Sequence, residues 1–265
     1  MRKTSKKQNH RFNEAYIKNQ NCYIDEDELI QIRTHDKECF TFKYKENLFC
    51  PGCKQAHLGL EFGDKINCLR TIKGESHIDN CQYSPGVNIA NPKQIQEYIK
   101  TSTPQTRENN LLSLLFRLGF IKKDVSIITK TSFSESSFMF YSTEKKKTIK
   151  VYIPQQKIRN GKNDFSYDIS KYYYGNIWLE IGEHSKEYDD VQLKIYSLQN
   201  MGKGGFICSV FVSKKHDNLS TIVDKLLNKT ENGSYYIAFF GQMILNTRYN
   251  NLYITDKHDI VIVKN

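Results

Sequence analysis

Cys50-Pro51-Gly52-Cys53 is answered downstream by His77 and Cys81, which gives C-x2-C, a gap of 23 residues, then H-x3-C. Two thiols two residues apart, with Pro-Gly between them, form a tight turn that aims both sulfurs inward. A second pair four apart completes a four-donor Cys3His shell, the donor number and softness that suit tetrahedral zinc. The residues between the pairs lack long apolar periods, so the segment depends on a cross-link or a metal for its shape. Zinc bound there would contribute folding free energy directly.

Three other arrangements compete with that reading. A thioredoxin-type redox pair would open a helix after a strand, but Gly59 and Gly63 interrupt the segment after Cys53. Cys68 is an alternative ligand in place of His77 or Cys81, and Cys39, eleven residues before Cys50, is a weaker one. His57 reads as a surface or turn residue. With four protein donors the shell has no open position, so the expected metal is structural and not catalytic.

A net charge of +10, from 39 basic and 29 acidic residues, points to anionic partners such as nucleic acid. Seventeen Tyr and fifteen Phe favour strands and also offer stacking platforms for bases. No apolar run is long enough for a membrane-spanning helix. The basic N-terminus is not followed by the apolar stretch of a secretory signal. Seven cysteines, clustered around one metal-like pattern, fit a reducing cytoplasm.

In chain order, residues 1–13 read as a basic disordered arm and residues 14–90 as the zinc-binding module. From Asn21 to Phe49 the pattern is that of short strands, with Cys39–Tyr44 alternating imperfectly. The acidic run Asp25–Glu28 reads as a solvated helix start. Within the module, Phe49-Cys50-Pro51-Gly52-Cys53, Gly63, Leu69-Arg70, His77 and Cys81-Gln82-Tyr83 resemble the N-terminal zinc module of CoiA-like competence proteins. The family's His-Phe-Ala-His-like segment is absent, and Cys68-Leu69-Arg70-Thr71 stands near its place. The resemblance spans residues 48–83 and implies a small metal-stabilised module on a protein that handles DNA. It does not carry nuclease activity with it, because no matching nuclease motif lies downstream.

Residues 91–124 read as a helical linker. It consists of a short helix from Pro92 to Lys100 and a leucine-striped one from Gln105 to Leu118, stopped at Gly119. Residues 125–265 read as β-rich. A hairpin with a basic tip spans Ser137–Ile153, and a second basic turn lies at Arg159–Asn163. Strands are expected at Asn176–Ile181, Val191–Leu198 and Phe206–Ser213, a helix at Leu219–Leu227, then strands at Tyr235–Leu245 and Leu252–Thr255, the last continuing as Asp259–Val263. Three strands, a helix and two strands is the order of an OB barrel, with Gly204, Gly205 and Gly241 as kinks. The expected class is therefore α+β: a zinc-ribbon-like module, a helical linker and an OB-like barrel.

Catalysis finds little support. Glu180, Asp189, Asp190 and Lys194 are the residue types of a metal nuclease, but their surroundings read as a polar loop. Met201–Gly205 is glycine-rich without the rest of a phosphate-binding loop. The same strands suit binding: Trp178, Tyr196, Phe206 and Tyr253 as stacking faces, and Lys194, Lys203, Lys214, Lys215 and Arg248 as phosphate contacts. Phe211, Phe239 and Phe240 read as core, and of Tyr172-Tyr173-Tyr174 at least one is expected to be exposed. The sequence thus points to a non-catalytic, cytoplasmic nucleic-acid-binding protein, single-stranded DNA favoured, with one structural zinc. A metal-dependent DNA nuclease or nuclease accessory is the first alternative and a protein-interaction module the second.

Overall fold

The computed structural model describes residues 12–63, 67–79, 81–85, 87–117, 138–144, 147–159, 163, 165, 167–182, 190–198, 205–213, 232–246 and 249–265. The described residues group into two compact units, one drawn from Met1–Asn88 and Ser134–Met139, the other from Ile89–Phe133 and Phe140–Asn265.

The first unit begins with strand β1 (Glu14–Ile17), β2 (Cys22–Asp25), helix α1 (Glu26–His35), helix α2 (Lys37–Lys43) and strand β3 (Leu48–Phe49). The three strands form one sheet in the order β2-β1-β3. A hairpin of β4 (Leu58–Phe62) and β5 (Asn67–Thr71) comes next. The acidic run does start a helix, since α1 carries Glu26, Asp27 and Glu28 in its first turn. Glu26 is nevertheless fully buried, because its carboxylate accepts the Leu69 N–H at 3.0 Å. A buried carboxylate is tolerated when it is hydrogen-bonded. Cys39–Lys43 is helical and not a strand, with Tyr44 as the C-cap. Asp36 caps α2 by accepting the Cys39 N–H at 2.8 Å, Phe40 turns inward, and Phe42 is 88% exposed. Phe12, inside the segment expected to be a disordered arm, is instead buried against the module and bridges to Leu69. The core joins Phe12, Ala15, Ile17, Leu29, Leu48, Leu58 and Leu69 with three of the cysteines.

The second unit contains, apart from the first residues of β6 and β7, the elements β6 (Asn88–Ile89), helix α3 (Pro92–Thr101), helix α4 (Pro104–Arg117), β7 (Met139–Glu144), β8 (Lys147–Tyr152), β9 (Gln155–Lys157), β10 (Lys171–Ile181), β11 (Asp190–Tyr196), β12 (Phe206–Ser213), β13 (Gly233–Gly241), β14 (Ile244–Asn246), β15 (Tyr249–Ile254), a 3₁₀ turn (Lys257–Asp259) and β16 (Ile260–Lys264). β7 and β8 pair as the expected hairpin, in a small sheet of order β6-β8-β7. The large sheet has eight strands in the order β14-β15-β12-β11-β10-β13-β16, with β9 added beside β10. α3 starts with a reciprocal capping box. Asn91 accepts the Gln94 N–H, and the Gln94 side chain accepts the Asn91 N–H.

This architecture replaces the expected α+β arrangement. Among the described residues strand outweighs helix by 46% to 24%. The first unit is more than a ribbon, since a separate three-stranded sheet and two helices accompany the hairpin. The helices read as a linker are cover for the sheet: α4 packs on β10, β13 and β16, and its Leu111, Leu114 and Leu115 are fully buried. Each such leucine stabilises the fold by about 1.5–3 kcal/mol. An OB barrel is five-stranded. Here β9, β14 and β16 add strands, and β9–β10 and β12–β15 pair in parallel. Only Gln242 and Met243 separate β13 from β14, although four strands lie between them in the sheet order. The sheet must therefore curl round its core. At the approach Gly241 leaves little room, since a Cβ there would sit 3.2 Å from the Leu252 side chain. The helix expected at Leu219–Leu227, the stop at Gly119 and the kink at Gly204 lie outside the described residues.

All three tyrosines of Tyr172-Tyr173-Tyr174 are buried, against expectation. Tyr173 points into the curled core and stacks on Phe239 at 5.3 Å. Tyr172 points to the opposite face, where the helices cover it. Its hydroxyl lies 2.6 Å from that of Tyr98, and Asn110 donates to both at 3.1 Å. Beside this network Arg107 donates to Asp259 at 2.6 Å and to Asp256 at 2.8 Å, fastening α4 to the 3₁₀ turn.

Candidate functional site

The strongest side-chain constellation is the one the cysteine spacing picks out. β3 delivers Cys50 into a tight loop, closed by the Cys50 N–H to the Ala56 carbonyl and the Lys54 N–H to the Cys50 carbonyl, both at 2.8 Å. Lys54 takes a left-handed conformation with φ of 53°, the position a glycine would occupy without strain. The second arm leaves β5, turns at Gly74 and presents His77 and Cys81. The four donor atoms of Cys50, Cys53, His77 and Cys81 lie within 4.8 Å of one another.

The individual separations fit a common centre. Cys50 and Cys81 sulfurs are 3.7 Å apart, Cys53 Sγ is 3.6 Å from His77 Nδ1, and Cys81 Sγ is 3.4 Å from it. A tetrahedral ion with bonds of about 2.3 Å to sulfur and about 2.0 Å to nitrogen would place its donors about 3.8 Å and about 3.5 Å apart. The cluster can therefore hold a metal ion. The outer contacts have the matching polarity. The Gly52 and Tyr83 N–H groups donate to the Cys50 and Cys81 sulfurs at 3.3 and 3.4 Å. Thr71 Oγ1 lies 3.0 Å from His77 Nε2, which leaves Nδ1 as the inward donor when Nε2 carries the proton. Phe12 and Tyr83 rings flank the imidazole at 5.9 and 6.3 Å. Packing at Gly52 is tight: a Cβ there would meet both Cys81 Sγ and the Tyr83 ring at 3.2 Å.

The protons of the thiols are unevenly held. The hydrogen bond from Cys50 holds Cys53 down to about 3, and the same partner brings Cys81 down to about 6. Burial pushes Cys50 up. For His77, burial pulls down, but the hydrogen bonds to Cys81 and Cys53 outweigh it and the imidazole is raised. A site that favours thiolate on two sulfurs is prepared for a cation. Of the rival ligands, Cys68 is buried on β5 and Cys39 lies on α2, both outside the cluster. His57 is half-buried and stacks on Phe49 at 4.9 Å.

The proposed stacking residues also come together, on the face of the large sheet opposite its core. Trp178 on β10 lies directly across from Tyr196 on β11, and Tyr196 lies across from Phe206 on β12. The Tyr196 and Phe206 rings are 5.6 Å apart, and Phe206 continues the row to Tyr249 on β15 at 5.4 Å. Tyr249 has no signal in the sequence beyond its alternation with the inward Leu252 and Ile254. Two residues along, Glu180, Lys194, Ser209 and Asn251 form a polar row. Beyond it Phe211 stacks on Tyr253 at 5.0 Å. Phe211 is thus half-exposed on this face and not core, because Cys208, Val210 and Val212 take the inward positions. Phe239 and Phe240 are buried as expected.

Lys194 Nζ is paired with Glu180 at 3.0 Å, so its charge is locally balanced. Lys203, Lys214, Lys215 and Arg248 lie outside the described residues, as do Asp189, the side chain of Asp190 and most of Met201–Gly205. Among the described residues no helix is long and apolar enough to cross a membrane. No protein-family model, curated protein or solved structure matches this chain.

Proposed function

We propose that the protein binds single-stranded nucleic acid, DNA in the first place, on the outer face of its large sheet over β11, β12, β15 and the end of β10, and that the Cys3His cluster holds a structural zinc. The observation that carries the reading is the aromatic row Trp178, Tyr196, Phe206 and Tyr249, with Tyr253 and Phe211 beyond it. Sequence-tolerant binding of single strands needs such faces, each stacked base contributing about 1–3 kcal/mol. The net charge of +10 supplies the attraction to phosphates. Zinc is the metal that three thiolates and an imidazole in a tetrahedron select, and four protein donors leave no open position for chemistry. Reduced thiols at the cluster suit the cytoplasm.

The test is a titration of labelled single-stranded DNA, duplex DNA and RNA at two salt concentrations, with zinc measured on the same sample. Preference for single strands that weakens steeply with salt, at one zinc per chain, is the expected result. Tyr253→Ala should weaken binding about 5- to 150-fold, the equivalent of one lost stack. Equal affinity for duplex and single strands, unchanged by Tyr253→Ala, would refute the reading.

A further inference from the structure

The first unit carries a cleft of about 260 Å³, separate from the metal cluster, between the two helices and the β4–β5 hairpin. Its lining combines buried Phe40 and Leu60 and exposed Ile72 with basic Arg33, Lys37 and Lys45 and the carboxylate of Glu46. Asp36 alone joins α1 to α2. That tight junction brings Arg33, in the last turn of one helix, beside Lys37, the first residue of the next.

Arg33 is held in place. One of its N–H groups donates to the Leu60 carbonyl, and the guanidinium lies 4.2 Å from the Phe62 ring centroid and 5.4 Å from that of Phe40. A guanidinium fixed this way keeps its remaining donors oriented, which is the geometry that recognises phosphate. Lys37 and Lys45 are exposed and have no ion-pair partner among the described residues. Drug-sized ligands fill pockets of about 300–1,000 Å³. This cleft is smaller and so suits one compact group with an apolar body and an anionic end.

We infer that the cleft binds a single phosphorylated nucleoside, with its phosphate among Arg33, Lys37 and Lys45 and its base over Phe40, Leu60 and Ile72. The inference does not rest on the sheet-face reading. The nucleotide can come from solution or from the 5′ end of a strand.

The test uses the full-length, metal-loaded, ¹⁵N-labelled protein. It is titrated with thymidine monophosphate, thymidine, inorganic phosphate, and oligothymidylate with and without a 5′ phosphate, while the Gly59, Leu60 and Ile72 amides are followed. Thymidine monophosphate should shift these amides and bind about tenfold or more tightly than thymidine, the worth of one charge-assisted hydrogen bond. Lys37→Glu with Lys45→Glu should lose about the same factor without changing thermal unfolding, since both side chains are exposed. Selective shifts by the 5′-phosphorylated strand would assign the ligand as a strand end. Shifts by the mononucleotide and by neither strand would assign it as a free nucleotide. Unmoved amides, equal binding by the double variant, or shifts by inorganic phosphate as strong as those by the nucleotide would each overturn the inference.

Discussion

Removing the metal proposed for the Cys3His cluster should destabilise the first unit and leave a readable record of where. Cys50, Cys53 and Cys81 are at most 6% exposed and form part of the same core as Leu48, Leu58 and Leu69. Without a cation, three sulfurs with raised or lowered proton affinities sit in that core, held by one another, His77 and a few backbone N–H groups. Free metal at 1,000 times its dissociation constant stabilises the bound form by about 4.1 kcal/mol. Structural zinc in finger peptides contributes about 10–16 kcal/mol. The apolar core of this unit makes the lower figure the safer floor, and about 4 kcal/mol is already a large share of a domain's usual 5–15 kcal/mol. Hydrogen exchange read by mass spectrometry, with and without chelator, is the direct assay. Amides of Cys50–Ala56 and of β4 and β5 should lose protection by about 10³-fold. The chain has one tryptophan, Trp178, and it lies in the second unit. Its emission therefore reports on that unit separately through the same titration. Protection of Cys50–Ala56 that survives chelation would refute a structural role for the metal.

Three further outcomes rest on named contacts. Thr71→Val removes the partner of His77 Nε2 and should weaken metal binding about 10- to 100-fold by competition with a chelating dye, with Thr71→Ser retaining it. Tyr172→Phe removes a hydroxyl that faces both Tyr98 and Asn110, and should cost about 1–3 kcal/mol in urea unfolding followed by Trp178. Burial raises the Asp259 carboxyl to about 6, with Arg107 pulling the other way. A folded-state value above the unfolded one means that the protonated form favours folding. That contribution is complete below about pH 4 and is lost as pH rises through about 6. Stability curves of wild type and Asp259→Asn across this window should therefore differ in slope, the variant being flatter.

The four-donor Cys3His cluster is legible in the sequence because its signal is a spacing, which survives any fold that brings the two arms together. The residues that shape it are not. Lys54 stands in a left-handed turn that glycine adopts more readily, and buried Glu26 accepts a backbone N–H from a residue 43 positions away. Phe40, Phe42 and Tyr44 alternate as a strand would, but the Asp36 cap makes a short helix that leaves Phe42 in solvent. Strand Phe206–Ser213 is legible to the residue, and the alternation of Cys208, Val210 and Val212 already implies that Phe211 faces outward. Sheet order is beyond local pattern. The parallel pairing of β12 with β15 and the docking of α4 on β10, β13 and β16 join distant segments. The same docking buries Tyr172, which a period of two alone leaves exposed.

The central claim concerns the aromatic face, and Trp178 is its built-in probe. The most direct measurement is Trp178 fluorescence during titration of the full-length protein with oligothymidylate at low and at high salt. Stacking predicts saturable quenching at low salt that shifts to higher oligonucleotide concentration at high salt, and a weaker response in Tyr196→Ala. Binding seen by anisotropy while Trp178 emission stays unchanged, or no binding at low salt, would contradict the account.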